Sequence, residues 1–272
     1  MGYLTFGIIG IVLLWGHFET WFLRVIRTEF RSPRVPAAFD GFRIALIGNL
    51  HLRRLGGWTR RIQRLVKELQ PDILLIAGNV KPSHAADNAK THLLLSEFLQ
   101  PLSAPGGVLC VRGYRDRKGF WDELPAQPRF QLLSNSHHRV TRGTECLVFL
   151  GIQTAHASHL DRGINQIRET LAPLGENEGL RILVGQSADL LRVAQGQPIP
   201  LILAVDNLHY QIRLPGIGVP RRDTKVPLAW ERGWLREGPE SLFLSSGLGI
   251  RWFPFRFFLR PEIVCVTLRR GP

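Results

Sequence analysis

The fold is most clearly indicated by the stretch Pro71-Asp72-Ile73-Leu74-Leu75-Ile76-Ala77-Gly78-Asn79. Residues 72–77 are predicted to form one buried strand, because the apolar run is continuous and is bounded by proline and glycine. Continuous apolar strands are typical of parallel sheets that helices cover on both faces. The Gly-Asn pair follows where the strand ends, which is where open α/β sheets carry their functional residues. The stretch therefore predicts an α/β protein with a site at the strand ends.

The same pattern continues along the chain in both directions. Strands are predicted at 43–47, 107–112, 146–152, 181–184 and 200–204, and helices at 58–69, 88–99, 160–171 and 188–194. Further strands are expected near 130–133, 138–141, 210–214, 241–245 and 262–268, with a long surface loop over 215–240. Strands and helices alternate in the first half and strands dominate later, which favours an α/β fold with a layered sheet.

Polar loops directly follow five of the predicted strands. They are Gly48-Asn49-Leu50-His51, Gly78-Asn79-Val80, Gly113-Tyr114-Arg115-Asp116, Gly185-Gln186-Ser187 and Asp206-Asn207-Leu208-His209. Because loops at the carboxyl ends of strands gather at one edge of such a fold, these side chains are expected to line a common pocket.

Composition excludes several classes of protein. The 272 residues are 44% hydrophobic and 21% charged, which excludes a disordered chain, a collagen-like chain and a coiled coil. A polytopic membrane protein is excluded because only one stretch could reach into a bilayer. Thirty-five Lys and Arg stand against twenty-two Asp and Glu, and the net charge of +13 predicts anionic partners. Cys110, Cys146 and Cys265 are too few and too scattered for a disulfide framework, and indicate free thiols in a reducing compartment.

The first 31 residues are predicted to be a hydrophobic anchor with a basic flank. An apolar run covers 3–15 and resumes at 21–23, with Trp15 and Trp21 at interfacial positions. A helix over 3–23 could anchor the chain, although strictly the run is shorter than the roughly 20 residues that span a bilayer. The arginines all follow the run, so the positive-inside bias places the main domain on the cytoplasmic face. A buried amino-terminal helix is the alternative.

A second segment also favours a membrane surface. Residues 249–260 interleave aromatic residues with arginines, a combination suited to the headgroup layer of an anionic bilayer. The predicted membrane contacts are Trp15, Trp21, Trp252, Phe253, Phe255, Phe257 and Phe258. The alternatives are a core strand, against which Pro254 argues, and a single-stranded nucleic acid surface.

The chain resembles the calcineurin-like metallophosphoesterase superfamily. The resemblance rests on 39–44 (Phe-Asp-Gly-Phe-Arg-Ile), 71–78, 211–215 (Gln-Ile-Arg-Leu-Pro), and 246–249 (Ser-Gly-Leu-Gly) with 261–263. It is greatest to the membrane-associated bacterial branch of UDP-2,3-diacylglucosamine pyrophosphatase-like proteins. It implies a four-layer α/β/β/α sandwich over residues 32–272 with a two-metal site at the strand ends.

Most metal ligands that the resemblance implies are replaced. Asn49 and Asn79 stand for aspartates, Tyr114 for asparagine, Arg115 and Gln186 for histidines, and Asp206 and Leu208 for the last pair of histidines. His51 is retained, as are Gly113 and Asp116. A shift of one residue would instead place His209 on the final histidine, and both registers remain open. An amide lacks the charge that holds two adjacent dications together, and Arg115 adds a positive charge.

Three functions are compatible with these residues. The favoured hypothesis is a pseudoenzyme that needs no metal cofactor and binds an anionic lipid headgroup, or a protein partner at the membrane. Its pocket would be lined by Asn49, His51, Asn79, Tyr114, Arg115, Gln186 and Asp206. The alternative is a phosphoesterase or pyrophosphatase with a rebuilt Mn, Mg or Zn site, using His51, Asp206, His209 and Asp116. The third, a nucleic-acid-binding protein, is not expected, because the chain carries no nucleic-acid motif.

Overall fold

The computed structural model describes residues 2–82, 85–86, 88–113, 116, 121, 130–153, 159–175, 178–205, 211–219, 232–250 and 253–272. Its helices are α1 (Gly2–Glu19), α2 (Gly57–Leu69), α3 (Ala89–Leu99), α4 (Leu160–Leu171) and α5 (Leu190–Ala194), with a 3-10 turn at Ala37–Phe39. Its strands are β1 (Arg24–Ser32), β2 (Arg43–Gly48), β3 (Ile73–Ala77), β4 (Val108–Val111), β5 (Phe130–Leu133), β6 (Ser136–Arg142), β7 (Glu145–Gly151), β8 (Leu180–Gly185), β9 (Leu201–Val205), β10 (Gly233–Glu237), β11 (Glu240–Ser245) and β12 (Glu262–Arg270).

The described strands form two mixed sheets in which parallel pairs predominate. The first has the order β1-β12-β2-β3-β4-β5 and the second β10-β11-β9-β8-β7-β6. In the first sheet only β12 and β2 run antiparallel, so the carboxyl ends of β2, β3 and β4 lie at one edge. The carboxyl ends of the parallel strands β7, β8, β9 and β11 likewise share an edge of the second sheet.

Three apolar clusters define the layers. The central cluster joins the two sheets face to face, with Leu75 of β3 and Phe149 of β7 both fully buried. On the far side of the first sheet, α2 and α3 supply Ile62 and Phe98 to a second cluster. On the far side of the second sheet, α4 and α5 pack into a third. The α/β expectation is therefore confirmed, with helices outside two sheets that pack together.

Two edge strands were missed by the sequence pattern. β1 pairs in parallel with the carboxyl-terminal β12 along its whole length, so the sheet begins at residue 24, before the expected domain start at 32. β10 lies within the segment 215–240 that was predicted to be a loop. Conversely, the strand expected at 210–214 is represented, in its described part, only by isolated bridges at Ile212 and Leu214.

The amino-terminal helix differs from the expected anchor. α1 ends at Glu19 rather than continuing to Leu23, and its 18 residues measure about 27 Å, less than the ~30 Å apolar thickness of a bilayer. Within the described residues, no helix combines the length and the apolarity that crossing a membrane requires. The alternative of a buried helix does not agree with the structure, because Tyr3 is 96% exposed and Phe6 75%.

Candidate functional site

The predicted pocket residues come together where β2, β3 and β8 end. Asn49 follows β2, Asn79 follows β3 after one glycine, and Gln186 follows β8 in the opposing sheet. The loops after β2 and β3 are joined by backbone hydrogen bonds, from His51 N to Asn79 O (3.2 Å) and from Leu52 N to Val80 O (2.8 Å). The strand ends of the two sheets therefore do form a common site.

Three side-chain amides form the floor of this site. Asn79 Nδ2 donates to Asn49 Oδ1 over 3.3 Å, and Gln186 Nε2 donates to the same oxygen. Asn49 and Asn79 are fully buried. We call these three residues the amide triad. A carbonyl oxygen has two lone pairs, so the two donors satisfy the acceptor capacity of Asn49 Oδ1, which sits where the resemblance implies a ligand carboxylate.

The backbone around the amide triad is tightly constrained. Asn49 and His51 adopt positive φ angles of 47° and 42°, a left-handed conformation that asparagine tolerates better than most residues. Gly78 also has a positive φ of 84°, and a Cβ at this position would lie 2.7 Å from the Gln186 amide nitrogen. The two glycine-asparagine loops can therefore approach the opposing sheet closely because residue 78 has no side chain.

Asp116 supports the loops and faces their backbone. Its Oδ1 accepts a hydrogen bond from Val80 N (3.2 Å) and its Oδ2 accepts one from Gly113 N (3.0 Å). Burial raises the pKa of this carboxyl from 3.8 to about 6, although both hydrogen bonds act to lower it. Asp116 therefore links the loops after β3 and β4.

Several predicted site residues lie outside the described part of the chain. They are Tyr114, Arg115, Asp206, His209, Leu208 and the membrane-contact residue Trp252. The described part of the pocket holds Asn49, His51, Asn79, Gln186 and Asp116, and His51 is 4% exposed. The register of the last loop, Asp206 to His209, is among the untested expectations.

The donors described at the strand ends do not fit a two-metal centre. Within the described residues, no three His, Cys, Asp or Glu side chains gather closely enough to hold an ion. Two-metal sites need negatively charged oxygen ligands, whereas the acceptor of the amide triad is neutral and already bonded to two amide donors. No catalytic step through a metal follows from these residues.

The two predicted membrane segments pack against each other. His17 Nδ1 lies 3.1 Å from Pro254 O, and Phe258 N donates to Glu19 Oε2 over 2.7 Å. A side chain at Gly16 would collide with the Phe255 ring. The exposed hydrophobic residues of α1 and of the turn after it therefore lie beside those of 253–258. We call this the aromatic surface, with Trp15, Phe18, Trp21, Phe22, Phe253 and Phe258 each at least 42% exposed.

Arg256 has a role that the sequence pattern did not indicate. The pattern of 249–260 predicts that Arg256 faces a membrane surface, but its side chain is fully buried. It donates to the carbonyl oxygens of Leu259 (2.9 Å), Gly247 (3.2 Å) and Gly249 (2.7 Å). Burial lowers its pKa to about 10, while the nearby carboxylates of Glu262 and Glu19 oppose that shift.

Arg256 joins the aromatic surface to the candidate site. The backbone N of Arg256 donates to Gly16 O (2.9 Å), near the end of α1. Gly249, whose carbonyl oxygen accepts from the Arg256 side chain, donates through its own N to Asn49 O (2.7 Å). Gly249 thus lies between the guanidinium of Arg256 and the amide triad. The sequence around Arg256 gives no sign that its side chain is buried. Two of its three acceptors, the carbonyl oxygens of Gly247 and Gly249, belong to the turn after β11.

Comparison with known proteins supports the resemblance in coarse outline. No family model matches the chain. Over 259 residues, 93% of this chain and 88% of the relative, it is 24% identical to "Uncharacterized metallophosphoesterase YkuE" of Bacillus subtilis. Over 110 residues, 39% of this chain and 32% of the relative, it is 31% identical to "UDP-2,3-diacylglucosamine pyrophosphatase LpxG" of Chlamydia muridarum.

A solved structure shares the fold. The protein TT1561 of Thermus thermophilus superposes with a TM-score of 0.51 at 13% identity, covering 76% of this chain and 90% of the other. At that identity the superposition shows the fold alone. By sequence, this chain is similar over nearly its whole length to one relative that is named a metallophosphoesterase.

Proposed function

We propose that this chain is a metallophosphoesterase-like pseudoenzyme that binds an anionic group in the pocket at its strand ends. The observation that carries the proposal is the amide triad. Asn49 and Asn79, which stand where the resemblance implies ligand aspartates, are hydrogen-bonded to amides and buried. Neutral amides remove the negative charge that would hold metals and would repel a phosphate.

The charge balance supports an anionic ligand. Among the described pocket residues, Asp116 is the carboxylic acid, and both of its oxygens face backbone N–H groups. Arg115 precedes it directly in the sequence, and guanidinium groups pair with phosphate through two parallel hydrogen bonds. The whole chain has a formal net charge of +13. A phosphate or a phosphorylated headgroup is therefore the ligand class that this pocket suits.

The pocket proposal makes a direct prediction about ligands. The purified chain is expected to bind inorganic phosphate and to bind no stoichiometric Mn²⁺. Arg115→Ala should weaken phosphate binding about tenfold or more, because a hydrogen bond to a charged group contributes about 1.5–3 kcal/mol. Isothermal titration measures both ligands. Arg64→Ala is the control, because Arg64 is exposed on α2 and forms an ion pair with Glu68 one helical turn away.

The same titration distinguishes the competing function. Similarity to a named metallophosphoesterase over 93% of the chain favours a rebuilt hydrolytic site as the second candidate. In that case Mn²⁺ would bind tightly and bis(p-nitrophenyl) phosphate would be hydrolysed, with turnover abolished by His51→Ala. Turnover of this kind would overturn the pseudoenzyme proposal. Equal phosphate affinities of wild type and Arg115→Ala would overturn the pocket ligand.

We also propose that the chain lies on the cytoplasmic face of an anionic membrane through the aromatic surface. Two segments distant in sequence converge there, and both leave aromatic rings exposed. Arginines flank the rings: Arg61 donates to Trp21 O (3.1 Å), and Arg260 lies 5.6 Å from the Phe22 ring centroid. Apolar rings beside cationic groups suit the headgroup layer of anionic lipids. The aromatic surface would then replace a spanning anchor.

Vesicle binding tests the membrane proposal. The chain is expected to sediment with phosphatidylglycerol-containing vesicles, less so at high salt, and weakly with phosphatidylcholine alone. The double variant Trp21→Ser/Phe253→Ser should lower the partition coefficient at least tenfold, because it removes two large apolar groups. Leu93→Ser is the control, since Leu93 on α3 is 59% exposed and lies outside the aromatic surface. Equal partition of all three proteins, or capture by a protein partner without lipid, would contradict the proposal.

A further inference from the structure

A large cavity lies at the edge of the second sheet where its parallel strands begin. Its volume is about 960 Å³, within the range of small-molecule sites. Its lining includes Leu180, the first residue of β8, whereas Gln186 of the amide triad follows the last residue of the same strand. The cavity and the candidate site therefore lie at opposite ends of β8. We call it the Glu240 cavity, after the residue that begins β11 in its lining.

The carboxylate of Glu240 is buried without a partner. The residue is 5% exposed, and no hydrogen bond or ion pair joins its side chain to another described residue. Both carboxylate oxygens keep some accessible area, so they open onto the cavity. A Cβ at Gly238 would lie 3.2 Å from Glu240 Oε2, so the glycine in this turn leaves room beside the carboxylate. Burying a carboxylate is costly unless the group is paired, and this one has unused capacity for a cation.

The other two carboxylates that line the Glu240 cavity are already engaged. Glu145 accepts hydrogen bonds from two backbone N–H groups of the 3-10 turn, one at each oxygen, over 3.2 and 2.6 Å. Glu178 forms an ion pair with Arg139. Among the described lining residues, Glu240 is therefore the carboxylate that is available to a new donor.

Two arginines of the lining are also available. Arg34 and Arg270 are both exposed, and neither guanidinium pairs with a carboxylate of the described residues. They would repel a simple cation, whereas a molecule that also carries a carboxylate would pair with them. The lining contributes apolar rings as well, from Pro33, Pro36, Pro198, Pro200 and Pro239. The cavity thus combines one buried anion, two exposed cations and apolar walls.

We propose that the Glu240 cavity binds a small zwitterion, an amino acid or a short peptide. Its ammonium group pairs with Glu240, and its carboxylate pairs with Arg34 or Arg270. An ammonium group has three N–H donors and no acceptor, which suits a carboxylate that lacks donors. A metal ion fits less well, because it needs several ligands and no three His, Cys, Asp or Glu side chains gather around an ion site in the described residues. The proposal is independent of the phosphate pocket.

Isothermal titration with ω-amino acids of increasing length, from 4-aminobutanoate to 8-aminooctanoate, tests the cavity. The amino acid that binds most tightly should bind at least tenfold more tightly than the alkylammonium ion or the alkyl carboxylate of equal length, because each of these lacks one charge. Glu240→Gln keeps the side-chain shape and should weaken that binding at least tenfold. Glu237→Gln is the matched control, because Glu237 faces Glu240 across the same hairpin but is exposed and is not among the lining residues.

Thermal unfolding without ligand separates binding from a structural role. Glu240→Gln should leave the melting temperature unchanged or raise it, because it removes a buried charge that has no partner. A clear loss of stability would instead indicate a structural carboxylate and would contradict the proposal.

The double variant Arg34→Gln/Arg270→Gln tests the other end of the ligand. It should weaken binding of the best amino acid severalfold and should not weaken binding of the alkylammonium ion. Equal affinities of wild type and Glu240→Gln across the series would overturn the proposal. Absence of binding by every member would also overturn it, because the Glu240 carboxylate would then be hydrated rather than a ligand site.

Discussion

Replacing Arg256 with methionine is expected to lower the free energy of unfolding by about 3–5 kcal/mol. The side chain is fully buried and its guanidinium donates to three backbone carbonyl oxygens. Methionine has a comparable length but no donor, so these carbonyls would be left buried without their partner. The carboxylates of Glu262 and Glu19 would also lose a neighbouring positive charge. Urea denaturation followed by circular dichroism measures the difference.

Two further variants show whether the guanidinium geometry matters. Arg256→Lys keeps the charge but cannot reproduce the planar set of donors, so it should recover only part of the lost stability. Arg64→Met on the exposed face of α2 should change stability by about 0.5 kcal/mol or less. If Arg256→Met cost no more than Arg64→Met, the buried guanidinium would not be a structural link between the aromatic surface and the glycine turn below Asn49.

Replacing Asn79 with aspartate is expected to destabilise the protein by about 2–4 kcal/mol at neutral pH. The side chain is fully buried, and its amide donates to Asn49 Oδ1 over 3.3 Å. A carboxylate has no N–H to donate, so one of its oxygens would face Asn49 Oδ1 without a hydrogen bond, in a site with little solvent. The change restores a residue type that the resemblance implies, so it also tests whether the site has adapted to amides.

The cost of Asn79→Asp should depend on pH. Burial and the facing oxygen raise the pKa of the new carboxyl in the folded state above its unfolded value near 3.9. The penalty is therefore absent below about pH 4, where the carboxyl is protonated in both states. It grows as the pH rises through the folded pKa.

Chemical denaturation at pH 4 and pH 7 measures that pH dependence. Asn88→Asp, at the exposed amino-terminal cap of α3, is the control and should be neutral. If the difference in stability between Asn79→Asp and the wild type were the same at both pH values, the amide triad would not be a closed hydrogen-bonded unit.

Local pattern was sufficient for the central strands and the helices that cover them. Residues 73–77 and 43–48 form strands, because a sheet that is covered on both faces buries the side chains of a continuous apolar run. α2 was predicted because Ile62, Val66 and Leu69 share one face at helical spacing, and all three are buried. The edge strand β1 was missed because its arginines resemble a basic flank. Its pairing partner β12 is also distant in the sequence, since Arg24 of β1 and Glu262 of β12 are 238 residues apart.

The candidate site was predictable in its position and only partly in its interactions. The position follows from topology, since parallel strands end at one edge and their loops must gather there. Which amide donates to which oxygen depends on two sheets meeting, because Gln186 comes from β8 and Asn49 from β2. The role of Asp116 likewise depends on the loop after β3, to which Val80 belongs.

By itself, the sequence determined the α/β class, the order of the central elements, the strand-end loops and the basic charge, because these depend on residue type and short-range periodicity. Only the tertiary structure decided that Arg256 is buried, that Asn49, Asn79 and Gln186 bond to each other, and that α1 packs beside 253–258. These features arise from contacts between segments far apart in the chain, and hydrogen-bond partners and burial at such contacts depend on three-dimensional distance rather than on neighbouring residues.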